Sequence, residues 1–507
     1  MALRILGPVL LVLFPMVAIA DDPPVVSVRL IRPDLQGSAV IDLFRGSRAS
    51  HPAAALAAWR HANGNHGLSK PLEALISLFN PPMVRELKAF DSAEFVLRFA
   101  PETGAARWSA LIPRDDGSLG ALVTAIALTD GASDSTINGQ PVMRLGPPGA
   151  PLAANLPGHM IVASDIEGLR SRSASKETSA PAPEGISGCR FRIDPSGLRN
   201  LKTLNGRRLN EALIALKCEK ARGEFGLVNE SLDLRLTTTL NAPVSDSPSI
   251  DPDWLAVIPK KRLIAVAAIA LDHRASALES TFALLDRVEK ADPARAAVAP
   301  IRTRLNLLAA GVKVFPDQDL WPNLKGLTVV VLSDGRGDIS GGLVVLHAKD
   351  VASAKMLLDR VLPRLAGAFV KANDLEPVID GVRPLGQIND RPLRAKLTGK
   401  SVVVGWGDAF EAGMEVLKNP ENSAAELLRG SMGSSPLQRF GAFWPGRWRE
   451  VVDIDSALGK SMADAPPMIW TGRRDGNTLH DQVRWDKLSG VIKRWLDALP
   501  LETPPDH

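Results

Sequence analysis

The sequence predicts an α+β protein of two tandem homologous lobes, each a mainly antiparallel sheet packed against helices. Short β-branched runs alternate with amphipathic helical stripes along the chain. The order of those elements repeats once, at a spacing of roughly 235 to 255 residues, which means a duplicated lobe and excludes a short-period solenoid. A Ser/Pro/Asp-rich stretch, Val244–Pro252, divides the copies.

The second copy shows the repeating unit most plainly. Leu327-Thr-Val-Val-Val-Leu332 is too short for a buried helix and rich in β-branched residues, so it reads as a strand. Asp334-Gly-Arg-Gly-Asp338 supplies a turn and Gly342–His347 a returning strand. Asp350 caps a helix in which Val351, Leu358, Val361, Leu362 and Leu365 share one face. Gly381-Val-Arg-Pro384, the strand Ser401–Trp406 and a helix Phe410–Leu417 complete the order β-β-α-β-β-α.

The echo lies in residues 94 to 170. Glu94–Phe99 and Trp108–Ile112 match the two strands, and Asp116 stands before a helix striped with Leu119, Leu122, Val123 and Ile126. Gly139-Gln-Pro-Val142 answers Gly381-Val-Arg-Pro384, and Gly158–Asp165 answers Gly399–Asp408. Farther out, Val25–Leu30 resembles Leu263–Ala268, and Gly188–Phe191 resembles Gly441–Trp444. Each copy also carries two helical stripes between its first strand and its cassette. In the first copy they are Ala53–Arg60 and Leu72–Leu87, the latter with Leu72, Leu75, Ile76 and Phe79 on one face; in the second they are marked by Leu278, Phe282, Leu285 and Val288, then by Val298, Ile301, Leu305 and Leu308.

Residues 1–20 read as a secretory signal, with Arg4, an apolar segment and Ala18-Ile-Ala20 as a small-residue cleavage site after Ala20. The expected mature chain is then a first lobe 21–246, a second lobe 253–500 and a tail 501–507, with no transmembrane segment. Its 60 basic and 56 acidic residues are spread along the whole length. So balanced a distribution argues against a nucleic-acid partner.

The two cysteines, Cys189 and Cys218, both fall in the first lobe. In an oxidising compartment one disulfide is expected between the strand near Cys189 and a helix Asn210–Lys217. Two separately buried thiols are the alternative.

Several motifs suggest chemistry and fail on context. Gly399-Lys400-Ser401 ends like a phosphate loop, but Arg394 replaces the required glycine and a strand follows instead of a helix. Ser173-Ala-Ser-Lys176 has acylase spacing, yet it sits in a Ser/Ala/Pro-rich stretch, Ser171–Gly185, expected to be an exposed connection. His51, His61 and His66 do not fall one helical turn apart, while His159 and His347 stand in separate cassettes. The chain has no tyrosine. Trp444, Trp448, Trp470, Trp485 and Trp495 crowd the last segment, either as buried contacts or as an exposed sugar platform. Asp475-Gly476 marks a hairpin there, and a last helix Leu488–Leu499 docks through Val491, Trp495 and Leu499. No catalytic, cofactor or metal residue is assigned.

The signal, the duplicated cassettes, the helix start at Asp350 and the Gly399-Lys-Ser-Val-Val-Val-Gly405 strand resemble secreted bacterial proteins grouped as a family of unknown function. The resemblance covers most of residues 250 to 485 and, more loosely, 25 to 240. It implies an extracytoplasmic two-lobed protein and transfers no activity. The expected function is a non-enzymatic binding or envelope-associated role, secreted or periplasmic, with an unidentified ligand or envelope partner between the lobes. The alternative is a hydrolase whose site is assembled from distant residues in the inter-lobe cleft.

Overall fold

In a computed structural model of the chain, the described residues are 25–63, 81–86, 92–99, 103, 106–113, 132–137, 139–144, 151–156, 158–174, 188–198, 211, 218–241, 248–271, 298–333, 339–369, 378–432, 436–448, 462 and 464–498. They form two compact units, one of residues 1–241 with 488–507 and one of residues 242–487. The signal, the tail, the Asp116 helix, the stripes beginning at Leu72 and Leu278, the Asp334 turn and the segment Asn210–Lys217, of which only Glu211 is placed, lie outside the described residues.

The first unit contributes strands β1 (Val26–Ile31), β2 (Ser92–Phe99), β3 (Ala106–Pro113), β4 (Ala132–Ile137), β5 (Gln140–Arg144), β6 (Leu152–Leu156), β7 (His159–Ala163), β8 (Gly188–Ile193), β9 (Cys218–Val228) and β10 (Ser231–Leu240). All their pairings are antiparallel, in the order β4-β5-β6-β7-β3-β2-β1-β8-β9-β10. Helices α1 (Pro33–Asp42), α2 (Pro52–Asn63), α3 (Pro81–Glu86) and α4 (Ile166–Ala174) accompany them. Asp165 caps α4 by accepting from the Gly168 N–H at 2.8 Å.

The second unit has β11 (Leu263–Ala270), β12 (Leu324–Ser333), β13 (Ile339–Ala348), β14 (Val382–Ile388), β15 (Arg391–Thr398), β16 (Ser401–Gly407), β17 (Arg439–Phe443), β18 (Met468–Asp475) and β19 (Thr478–Trp485), with α5 (Val298–Val312) and α10 (Pro445–Trp448) among its helices. These are also antiparallel throughout, in the order β14-β15-β16-β13-β12-β11-β17-β18-β19. From β5 onward, the first sheet has the same order strand for strand. The chain is therefore α+β with mainly antiparallel sheets.

Both faces of the central strands are covered in the second unit. Val330, Leu343, Val345 and Val403 point to one side, where α8 (Asp408–Lys418), α9 (Ala425–Met432) and the short turn Pro252–Leu255 close a core around Phe440. Leu346, Val402 and Val404 point to the other, onto α6 (Val351–Met356), a wider turn Leu357–Val361 and α7 (Leu362–Phe369). That alternation is the period of two that a pleated strand imposes. Asp350 caps α6 as its sequence indicates, accepting from the Ser353 N–H at 2.7 Å. No described helix is long and apolar enough to cross a membrane.

Several sequence expectations change. Arg391-Pro-Leu-Arg-Ala-Lys-Leu-Thr398 is a strand that the six-element order omits; Leu393, Ala395 and Leu397 face the core while Arg394 and Lys396 lie between them. Three charges in eight residues hid that alternation. Val351 is 44% exposed, and Leu357 takes its place in the core. Helix α4 runs through Ser173 to Ala174, so the connection expected from Ser171 begins later. The last helix, α11 (Leu488–Ala498), groups with the first unit, where the Leu488 N–H donates to the Glu230 carbonyl at 2.9 Å.

Candidate functional site

The two cysteines are not bridged. Cys189 on β8 sits opposite Phe225 on β9, and Cys218 lies seven residues before Phe225 on that same strand. At about 3.3 Å per residue the two are roughly 20 Å apart, several times the reach of a disulfide. Sequence counting pairs the residues, and sheet register separates them. Burial pushes the Cys189 thiol up to about 11 and raises that of Cys218 as well.

The phosphate-loop lookalike is a hairpin turn. Thr398 and Ser401 pair across Gly399 and Lys400, with Gly399 at φ 59°, a left-handed conformation suited to glycine. Ser173 donates to the Arg170 carbonyl at 2.9 Å inside α4, while Lys176 is outside the described residues. His51 accepts from the Ala54 N–H at the start of α2. Among the described residues no group of three or more His, Cys, Asp or Glu is placed to hold a metal. Trp444 and Trp485 are buried, the latter donating to the Pro466 carbonyl at 3.1 Å.

One constellation in the second unit joins residues that sequence spacing does not connect. His347 on β13 is 2% exposed and lies opposite Ser401 on β16. Its Nδ1 is 3.0 Å from the Ser401 hydroxyl, and its Nε2 is 2.8 Å from the buried Thr328 hydroxyl on β12. Trp254 stacks on the imidazole at 4.2 Å with planes 6° apart. A Cβ at Gly326 would stand 2.2 Å from that indole, so only glycine admits the stack. Burial drives the His347 pKa down to about 3. The ring is thus neutral, with one nitrogen donating and the other accepting. The hydrogen bonds satisfy both nitrogens, but so acidic an imidazolium corresponds to a weak base.

A cleft of 460 Å³ opens elsewhere in this unit, lined by Lys260, Glu421, Glu426, Leu427 and Arg429 among others. Neither His347 nor Ser401 belongs to it. Arg429 pairs with Asp253 at 3.2 Å, and the Ser423 hydroxyl donates to the Ala256 carbonyl at 3.0 Å. Its side chains have mixed charge and form no nucleophile-base pair among the described residues.

The first unit carries a different surface. Register places Glu94, Arg29, Arg190, Glu224 and Arg235 in one row across β2, β1, β8, β9 and β10. The next row on that face is Val96, Ser27, Arg192, Arg222 and Thr237. Arg172 of α4, its side chain 2% exposed, pairs with Glu94 at 2.6 Å. Arg190 pairs with Glu224 at 2.8 Å, Arg192 with Asp194 at 3.1 Å and Arg235 with Asp233 at 2.7 Å. Asp233 and Glu224 raise the Arg235 pKa.

Counting from the helix-covered strands gives each position a counterpart in the second sheet. Arg29, Arg190, Arg192 and Arg222 correspond to Ala268, Phe440, Ala442 and Ile469. The first three of those are buried core and Ile469 packs against it. One fold position is a hydrophobic core in one unit and four guanidinium groups in the other. The alternation is present in Ser27-Val-Arg29 and Arg190-Phe-Arg192, but the facing rows emerge only once strands are paired.

No protein family matches the chain, and no curated protein matches it either. A solved structure described as crystal form I of TP0453 aligns with 44% of this chain and 78% of its own, at 9% identity and a TM-score of 0.24. That likeness carries no argument about fold or function.

Proposed function

We propose that the chain is a non-enzymatic, extracytoplasmic binding or envelope-associated protein built from two homologous lobes. The matching order of nine strands supports the duplication, and the signal-like sequence Met1–Ala20 supports secretion to the periplasm or beyond. One observation carries the binding role. A kept sheet position has exchanged a packed core, Ala268, Phe440 and Ala442, for an arginine face, Arg29, Arg190 and Arg192. Folding favours the apolar version, so the polar version calls for a use outside folding.

A hydrolase built on Ser401 is the competing reading, favoured by its 3.0 Å contact with His347. Burial works against it, because an imidazole that stays neutral down to about pH 3 takes a proton from serine poorly. Native mass spectrometry of protein purified from its own envelope tests the proposal. A retained non-covalent mass, released unchanged, is expected; a bound compound that converts to product on standing contradicts it.

A further inference from the structure

We infer that helix α5 of the second unit lies on the surface of an anionic lipid bilayer and holds the protein against it. This rests on the envelope-associated role proposed above and names the surface involved. From Leu305 to Val312 the helix reads Leu-Asn-Leu-Leu-Ala-Ala-Gly-Val, with Asn306 its one polar side chain. A helix that is apolar all round belongs in a core or in a membrane.

The fold does not bury this one. Leu307 is 67% exposed, and Thr303, Arg304, Asn306, Leu308, Ala310 and Gly311 are exposed around it. Half-buried Ala309 and Val312 mark the side turned toward protein. At about 100° per residue Leu307 lies nearly opposite them.

The end of the helix fixes that orientation. Lys313 takes the left-handed position at φ 56°, and the buried residue after it, Val314, donates its N–H to the Ala309 carbonyl at 3.0 Å. Arg364 of α7 donates to the Lys313 carbonyl, also at 3.0 Å. So held, the helix cannot roll to bury Leu307. Phe315, just past the turn, is exposed as well.

Charge selects what covers this side. Between Val298 and Phe315 the chain has Arg302, Arg304 and Lys313 and no acid. Arg304 and Lys313 are exposed, and neither side chain has an ion pair among the described residues. Asp317 and Asp319 come after Phe315, and Asp319 accepts from the Phe315 N–H at 2.8 Å. A second copy docked through the same face would bring these cations against their own counterparts. An anionic bilayer instead offers opposite charge to Arg304 and Lys313 and an apolar interior to Leu307 and Phe315. At about 1.5 Å per residue the 15-residue helix is roughly 22 Å long, short of the ~30 Å of a span, so it lies in the plane of the headgroups.

The test is flotation of the full mature chain with vesicles of equal parts phosphatidylglycerol and phosphatidylcholine, at about 50 mM salt and across a salt series. Wild type is expected to float with them, less so as salt rises, and not with phosphatidylcholine alone. Leu307→Ser should weaken binding about tenfold and Arg304→Ser about fivefold. Val228→Ser, at an exposed apolar position of the first unit, should bind as wild type does. All three variants should melt like wild type, because the side chains they replace face solvent, so lost binding is not misfolding. No flotation, flotation indifferent to Leu307→Ser and Arg304→Ser, or equal flotation with phosphatidylcholine alone overturns the inference. So does dimerisation without lipid that Leu307→Ser abolishes, since a second copy would then be the occupant. Release of fatty acid or headgroup from the vesicles would instead overturn the non-enzymatic role; absent flotation without such release overturns the inference alone.

Discussion

Trp254 lies flat on His347, ring centroids 4.2 Å apart, and the imidazole beneath it bonds to one hydroxyl on each of two strands. This arrangement has a definite pH signature. The unfolded chain protonates its histidine near 6.5, whereas the folded one resists until about 3. Between those values the unfolded state binds more protons, so stability is full above pH 6.5 and falls as pH drops. At about pH 4.5 the loss is on the order of 2 to 3 kcal/mol. Urea midpoints at about pH 7.5 and 4.5 should show wild type losing that much more than His347→Gln. Equal losses would mean that the imidazole is not buried and neutral.

Gly326→Ala should destabilise the second unit by about 1 to 3 kcal/mol, since its methyl group would enter the Trp254 ring. The near-ultraviolet dichroism of the stacked indole should change with it. A variant matching wild type in both respects would place Trp254 elsewhere.

The pair of buried Arg172 and half-buried Glu94 gives a prediction for the first unit. Arg172→Met should cost about 1 to 3 kcal/mol, because Glu94 loses its partner at 2.6 Å, and the double change with Glu94→Gln should recover most of it. Thermal or urea unfolding of the three variants decides this. Additive losses would show that the two residues do not meet.

Thiol counting checks the sheet register. Protein prepared without reductant should titrate two free thiols after unfolding, and reductant should not shift its melting temperature. Because burial raises the Cys189 thiol to about 11, alkylation of Cys189 in the folded protein should be slow at about pH 8. A mass 2 Da lower than the reduced chain, about that of two lost hydrogens, would restore the disulfide.

Much of the architecture was legible in the sequence where hydrophobicity alone decides position. The runs around Val329 and Val403 are continuous because both faces of those strands are covered, and Asp350 and Gly476 mark the α6 cap and the β18–β19 turn by local chemistry. Strand β15 escaped because Arg394 and Lys396 interrupt its apolar residues. The disulfide expectation failed for a related reason: composition and spacing carry no register, and register puts Phe225 where Cys218 was expected. His347 and Thr328 meet only through strand pairing, as do Arg192 and Arg222. No spacing rule along one segment could have joined them.

Recognition without turnover is tested most directly by a screen of the mature chain against esters, peptides, glycosides and phosphoesters, with Ser401→Ala and His347→Gln alongside. The same background hydrolysis is expected from all three proteins. Turnover by wild type that disappears in Ser401→Ala, while that variant stays folded, would contradict it.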